Sequence, residues 1–523
     1  MIDLIRPDAP YFAKYCLERG ASIMELTIPT PNPRWVGLCN PSVLLDRGEL
    51  KCILRNVNFI MHASRRDNRD WTSWGPLHYI ISDDEHPFLR TRNYICTIDP
   101  VRASMRDYKL IDTSRFDREP IWEFVGHEDI RLVRWNDKLY MSGVRRDDNT
   151  TGIGRMSLCE LVGDQEVSRV KIDADFLGYC EKNWIPILDQ PYRYLRYTYP
   201  DTEVVEVNSE NGECSVVKRT HCDIPVNHDM QVRGSSQVVP WKGGYIAMTH
   251  TCNLYITEHG RKYGRYHFHF ITWDKEWNIT RISPLFCFND SMIEFSNGLA
   301  YDEDKDLFYI PFAIQDNMSF MLTVSSDVVD GFIDNDIDDK LGNSHSFTPS
   351  NTLESYFSDH TYESYKSLGD HYMNMSHRAA AYVCYQHAYD YTLDIDEKYD
   401  SRFLMTRALA DCSHRDTDEL DGWVKCTGID ETRPEAYLAL SKYYEYRDRP
   451  ELAFHYAKLA YMRRSRARTY YDIKYYEPSY ILSGLQTEHR DQMIELLRQR
   501  SVDNREYQYI YDRECAKSIT RAL

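Results

Sequence analysis

The 523-residue sequence predicts an all-β domain followed by an all-α region. Two observations carry this. Up to about residue 335, short runs rich in Val, Ile, Tyr, Phe and Trp recur between turn signals, with the spacing of a β-sandwich or propeller. After about residue 360 the sequence becomes helical and repeats itself. A chain this long exceeds one ordinary core, so more than one domain is expected.

The β-runs come in order: Ser42 to Leu45, Lys51 to Phe59, Tyr94 to Ile98, Arg131 to Trp135, Lys138 to Val144, Gly244 to Thr249, Tyr266 to Trp273 and Leu307 to Ala313. Asp46-Arg47-Gly48, Asn136-Asp137, Asn208 to Gly212 and Lys242-Gly243-Gly244 punctuate them. A short helix is expected around Tyr11 to Arg19. From Asp334 to Ser358 the text is polar and acidic, which reads as a linker. The expected domains are therefore 1–335, a linker at 336–358, and 359–523.

In the helical part, Tyr365, Leu368, Gly369, Tyr372, Ala381, Tyr385 and Ala388 occupy the positions that a tetratricopeptide repeat fills with large, small and aromatic residues. The register returns at Tyr437, Leu440, Ser441, Tyr444, Ala453, Ala457 and Ala460. Between them, 399–427 is helical but off-pattern, with Arg402, Leu404 and Ala408 as weak anchors. Such a tetratricopeptide-like region offers a concave surface to a protein partner or macromolecular acceptor, or it caps the β-domain.

The net charge of −18 disfavours nucleic acid as the main partner. Arg65-Arg66 and the arginines from 464 to 468 read as solvated clusters. The 14 Cys show no Cys-x-x-Cys pair or regular framework, so free thiols in a reducing cytoplasm are expected. The opening Met1-Ile2-Asp3-Leu4 carries no apolar signal, and no run reaches membrane-spanning length. Cys222 with His221 and His228 matches no standard metal spacing, so no metal is expected. The 40 Tyr suit sugar-stacking surfaces as well as ordinary packing.

The densest chemistry lies in Gly126-His127-Glu128-Asp129-Ile130-Arg131, a link between two β-runs. It can present a carboxylate at a strand end beside an Arg, or form an ion-paired turn. Other polar groups stand at strand ends in chain order: Asn40, Arg55, Lys182-Asn183, Arg233, His250, Tyr266, Asp274, Glu294 and Asp316. A propeller shows this pattern when every blade contributes to one axial pocket.

This ordered set resembles the five-bladed β-propellers of glycoside hydrolase family 130, the β-mannoside phosphorylases, and the related glycosyltransferase family 108. The matching pieces are Asn40-Pro41 with Arg55, the 126–131 link, Lys182-Asn183 with Pro186, His250, Tyr266 eight residues before Asp274, Glu294 with Gly298, and Asp316. They span about residues 30 to 325. The resemblance implies Asp129 as general acid/base in an inverting glycosyl transfer. It implies Arg131, Lys182, His250 and Tyr266 on a phosphate side. Asn40, Arg55, Glu128, Asn183, Glu294 and Asp316 would face the sugar. It implies no cofactor, with phosphate or an activated sugar (a sugar phosphate or nucleotide sugar) as co-substrate. Two departures stand out. Ile130 replaces Pro, which is expected to loosen the link, and Gly234-Ser235-Ser236 replaces a Gly- and Pro-rich segment. A glycoside hydrolase on the same fold and a non-catalytic propeller–repeat scaffold are the alternative functions.

Overall fold

The structure is a computed structural model. It describes residues 9–29, 37–62, 78–81, 88–120, 124–147, 152–172, 182–226, 228, 230–256, 262–291, 293–334, 352–410, 416–447, 449–463, 466 and 495. Two compact units form, residues 1–360 with 370–383, and 361–369 with 384–523.

The first unit is a five-bladed β-propeller. Blade 1 consists of Gly37–Asp46, Glu49–Val57, Leu89–Asp99 and Ser104–Leu110. Blade 2 is Glu128–Trp135, Lys138–Arg145, Arg155–Val162 and Gln165–Lys171. Blade 3 is Ile185–Pro186, Arg193–Tyr197, Asp201–Val207 and Cys214–His221. Blade 4 is Arg233–Gly234, Gly244–Ile256, Lys262–Trp273 and Ile279–Ile282, with Val239–Trp241 beside its long second strand. Blade 5 combines Glu294–Phe295, Leu307–Ile314 and Met318–Ser325 with the early strand Ser22–Glu25. That strand pairs antiparallel with Met318–Ser325, Ser22 opposite Thr323, and so closes the ring.

Local sequence explains the hairpins. Arg47-Gly48, Asn136-Asp137 and Lys242-Gly243 are two-residue loops with positive φ at both positions. That backbone twist matches the twist of the strands it joins. Blades then pack face to face through apolar seams. Trp135, Trp184 and Tyr194 fill the seam of blades 2 and 3, and Ile185, Trp273 and Trp277 that of blades 3 and 4. Two indoles also bridge blades, Trp135 Nε1 donating to Ile187 O at 2.9 Å and Trp273 Nε1 to Thr202 Oγ1 at 3.0 Å. Each such ring contributes on the order of 2–3 kcal/mol by burial.

The axis is polar. Gln237 is fully buried, and its Nε2 lies within hydrogen-bond distance of Ser42 Oγ (3.2 Å), Val43 O (2.9 Å) and Leu132 O (2.8 Å). Its Oε1 accepts from Leu299 N at 3.1 Å. One amide between blades 4 and 5 thus reaches blades 1 and 2 as well.

The expected N-terminal helix is Phe12–Leu17, with Phe12 among the rings of Phe270, Phe286 and Phe332. Residues 335–351 of the expected linker lie outside the described residues, as do Arg65, Arg66 and most of 464–468. Thr352–Ser358 is a helix, and Phe357 packs edge-on against Phe312 and Phe320.

Among the described residues six further helices follow: Tyr362–Asn374, Arg378–Tyr391, Ile395–Ala410, Asp416–Ile429, Glu435–Tyr446 and Pro450–Arg463. In the second unit, a Cβ on Gly369 would lie 2.5 Å from the Tyr385 ring, which accounts for glycine at this close approach. Ser441 Oγ donates to Ala453 O at 2.8 Å, and the Tyr444 and Tyr456 rings stack at 5.4 Å. The off-pattern stretch belongs to two helices whose core is Tyr399, Phe403, Trp423 and Cys426.

Replacing Gln237 with Leu strands two buried carbonyls and one amide, at about 1–3 kcal/mol each. A urea titration of Gln237→Leu is expected to show about 3 kcal/mol or more of lost stability, and a wild-type midpoint would contradict this role.

Candidate functional site

Four blades present polar residues at one set of strand ends, and the backbone there is unusual. Asn40, Asp129, Asn183 and Asp316 all have left-handed φ, at 45°, 51°, 67° and 53°. Non-glycine residues hold this region only where surrounding contacts impose it. Register shifts supply the local cause. The pairing slips between Cys39 and Ser42 around Asn40, and between Ser142 and Val144 opposite Asp129 and Ile130. Such bulges turn a side chain out of the alternation of its strand.

The turned side chains meet at Asp129. Asn40 Nδ2 donates to its Oδ1 at 2.8 Å, and Arg55 Nη1 reaches the same oxygen at 3.3 Å. Lys182 Nζ stands 3.6 Å from Oδ2. Asp129 is buried, whereas the Lys182 side chain keeps 31% exposure and is the most accessible cation of the cluster. Burial resists ionisation of Asp129. Lys182, Arg55 and Arg131, with the Asn40 amide, outweigh burial and hold the carboxyl at about 2.

Arg131 acts differently from a free anion binder. It is 1% exposed, and its three nitrogens donate to protein oxygens: Nε to Ser235 O at 2.9 Å, Nη1 to Asp129 O at 2.6 Å, Nη2 to Asn183 Oδ1 at 3.4 Å. The guanidinium is a clamp across blades 2, 3 and 4. Ser235, in the segment that departs from the phosphorylase pattern, is one jaw. Gly234 precedes it because a Cβ there would stand 2.4 Å from Asn183 O.

The link around Asp129 is pinned on both sides despite Ile130. Gly126 N donates to Asp147 Oδ2 at 3.2 Å, Asn93 Nδ2 to His127 O at 3.1 Å, and Leu132 N to Ser42 Oγ at 3.0 Å. Ile130 itself is buried among Leu44, Ile53, Leu132 and Met141. Apolar packing and these bonds restrain the link where the resemblance led us to expect looseness. Behind it, His127, Cys159 and Glu166 place donor atoms within 4.8 Å of one another. Both Glu166 oxygens are held by the Arg169 fork, at 2.7 and 2.6 Å, so a cation already sits on the carboxylate. Nothing in the sequence pattern marked Gln237, Asn93, Asp147 or Glu166, which lie far apart along the chain.

The remaining expected residues divide. His250 is buried, with rings of Phe295 and Tyr266 at 5.0 and 5.7 Å, and its Nδ1 has no hydrogen-bond partner among the described residues. Burial first, then Arg233, Arg131 and Lys182, push its pKa well down, so it is neutral. Arg233, another of the strand-end groups, pairs in register with His250. Tyr266 and Glu128 are half-buried. Glu294 is fully buried and its carboxylate accepts from three backbone amides, Phe288 N at 2.7 Å and Asn289 N and Ser291 N at 2.8 Å. Those bonds commit it to the 288–291 loop. Asp274 likewise holds its own turn, accepting from Glu276 N and Asn278 N. Asp316 is half-buried, and burial lifts its carboxyl to about 6, Arg55 pulling down and Asp129 and Glu128 pushing up.

No family model and no curated protein matches the sequence. Among solved structures, the chain is similar to β-1,2-mannobiose phosphorylase from Listeria innocua, at 10% identity and a TM-score of 0.36 over 61% of this chain and 100% of that one. It is also similar to MPT-4, a mannose phosphorylase from Leishmania mexicana, at 11% identity and 0.35, covering 60% and 92%. A third is MPT-1, a GDP-Man-dependent mannosyltransferase from the same organism, at 12% and 0.33, covering 58% and 90%.

Asp129 and Asp316 give opposite pH signatures. Asp129 binds its proton more weakly folded than unfolded. It therefore contributes about 2 kcal/mol above about pH 4, lost as pH falls toward 2. Asp316 binds its proton more tightly when folded, so it costs stability as pH rises from about 4 through about 6. Thermal melts of Asp316→Asn are expected to lie above wild type at pH 7 and to coincide with it near pH 4. A lower melting temperature at pH 7 would refute the sign.

Proposed function

We propose that this site carries out inverting glycosyl transfer, as a glycoside phosphorylase or a glycosyltransferase, with phosphate or an activated sugar as co-substrate. The observation that carries the reading is the convergence of Asn40, Arg55 and Lys182 on Asp129 at the strand ends of blades 1, 2 and 3. A phosphoryl group needs cations and neutral donors held in place. The partly exposed Lys182 supplies the first, and the neutral His250 ring supplies the second. Arg131 contributes by fixing the backbone of Asp129 and the side chain of Asn183, so its part is orientation. The ordered match of 126–131 with Asn40, Arg55, Lys182, His250, Tyr266 and Asp316 supports the same reading.

Asp129 is the hub. Ionised, it anchors Lys182 and Arg55 at the opening. A phosphate that engages Lys182 competes with Asp129 for the ammonium and weakens the hold on its charge. The resemblance assigns it acid–base work, and Lys182, Arg55 and Arg131 favour its ionised form.

The test is incubation with a panel of sugar-1-phosphates and nucleotide sugars, with and without simple sugar acceptors, reading release of phosphate or nucleotide. Acceptor-dependent release by wild type is expected, and Asp129→Asn should lose about 10²-fold or more with an unchanged circular dichroism spectrum. Release that ignores the acceptor would favour hydrolysis, and no release from wild type would favour a scaffold.

A further inference from the structure

We infer that blade 4 carries a binding site for a divalent transition-metal ion, with the imidazoles of His228, His269 and His267 as its protein ligands. The site is independent of the glycosyl-transfer reading and lies on the face of blade 4 opposite His250.

The strand Lys262–Trp273 contains Tyr266-His267-Phe268-His269-Phe270. Strand alternation sends His267 and His269 to one face and Tyr266, Phe268 and Phe270 to the other. The register agrees: His267 stands opposite Thr251 and His269 opposite Thr249, while His250 stands opposite Phe268. His228 comes from the segment that joins blade 3 to blade 4, between Cys214–His221 and Arg233–Gly234. The sequence pattern grouped it with His221 and Cys222, and the fold gives these histidines different partners. His221 Nδ1 lies 2.6 Å from Asp201 Oδ1. His228 Nε2 lies 2.9 Å from His269 Nε2, with ring centroids 5.2 Å apart.

His269 is oriented as a ligand would be. Ser283 O can only accept, so His269 Nδ1, 2.8 Å away, carries the proton, and Nε2 turns its lone pair toward His228. An Nδ1–H bond to a backbone carbonyl is how metal-binding imidazoles are commonly held. Burial is the largest influence on His267 and His269 and brings both to about 4, so near pH 7 the rings are in the uncharged, ligating form. His228 and His269 by themselves make an ordinary hydrogen bond; the third ring points to an ion. His267 is 5% exposed, and its Nδ1 has no hydrogen-bond partner among the described residues. Thr251 Oγ1, on the residue opposite, has none there either. Buried polar atoms left so cost about 1–3 kcal/mol each. Arg265, the cation that bears on His267, is paired with Asp290 at 3.2 Å.

Imidazole ligands suit zinc, copper and nickel. A tetrahedral zinc ion with bonds of about 2.0–2.1 Å sets its ligand nitrogens about 3.3 Å apart. Parting His228 and His269 by a few tenths of an ångström therefore admits it, and a change of the His267 rotamer brings in the third nitrogen. Water takes the fourth position. The ion ties the segment leading to Arg233 onto the sheet whose other face carries His250.

The full chain, stripped with a chelator, is titrated with zinc, and the metal retained after dialysis is measured. One zinc ion per chain is expected. His228→Asn, in the half-buried connecting segment, should keep the wild-type circular dichroism spectrum and lose at least about 10-fold in zinc affinity. His267→Gln should lose affinity likewise, which a simple hydrogen bond between His228 and His269 would not produce. Cobalt(II) gives a spectroscopic reading, in which nitrogen and water ligands show no thiolate charge-transfer band. If His267→Gln loses the native spectrum, His228→Asn and the cobalt spectrum decide. Failure of wild type to retain zinc, or wild-type affinity in either folded variant, overturns the inference. A thiolate–cobalt band also overturns it, because it places the ion at Cys159 beside His127 and Glu166.

Discussion

The Gln237 amide at the propeller axis is the interaction on which the rest depends. Inner strands that converge in a ring bring their backbone groups together where water is scarce. Every such group needs a partner or costs the desolvation of a buried donor or acceptor. Gln237 meets this demand for Val43, Leu132 and Leu299 at once, and Ser42 Oγ adds Leu132 N. Because blades 1, 2 and 5 are fixed through one side chain, their strand ends are fixed too. Those ends carry Asn40, Asp129 and Asp316.

The site adds a second layer of constraint. Its backbone adopts conformations that cost of order 1–3 kcal/mol each, and its charges are drawn out of water. Arg131 holds this arrangement together from beneath, joining three blades with one guanidinium. The strain and the fixed charges belong together. A carboxylate aimed by a bulge keeps its direction only if the bulge cannot relax. Asp316 shows the opposite face of the same constraint, a carboxyl that takes no hydrogen bond from a described residue, at a net cost to the fold.

Much of the architecture was legible in the sequence. Alternating β-runs and Asn-Asp, Arg-Gly or Lys-Gly turns encode hairpins locally, and the structure has them at Asn136-Asp137, Arg47-Gly48 and Lys242-Gly243. The helical text after residue 360 also becomes helices. The blade count came from a resemblance, because Ser22–Glu25 gives no local sign that its partner is Met318–Ser325. In the site, Asp129, Asn40, Arg55 and Lys182 were singled out and the structure brings them together. The clamp character of Arg131 and the amide-bound state of Glu294 were not legible. Each depends on carbonyls and amides contributed by other segments, and a one-dimensional pattern carries no trace of them. Residue type tells which chemistry is available, and burial and partners decide which part of it is used.

The closing strand has a consequence for biosynthesis. Ser22–Glu25 leaves the ribosome long before Met318–Ser325, and until then its apolar positions, Met24 among them, have no sheet to join. Pairing between distant segments is slow because loop-closure entropy is lost before contacts compensate. The nascent propeller therefore waits as an open arc with two exposed edges, which are templates for mispairing. The ring, and with it the docking of the Asp316 turn onto blade 1, is completed only when the fifth blade has been made. The opening that Asn40, Asp129 and Asp316 share is thus assembled only when the domain is whole.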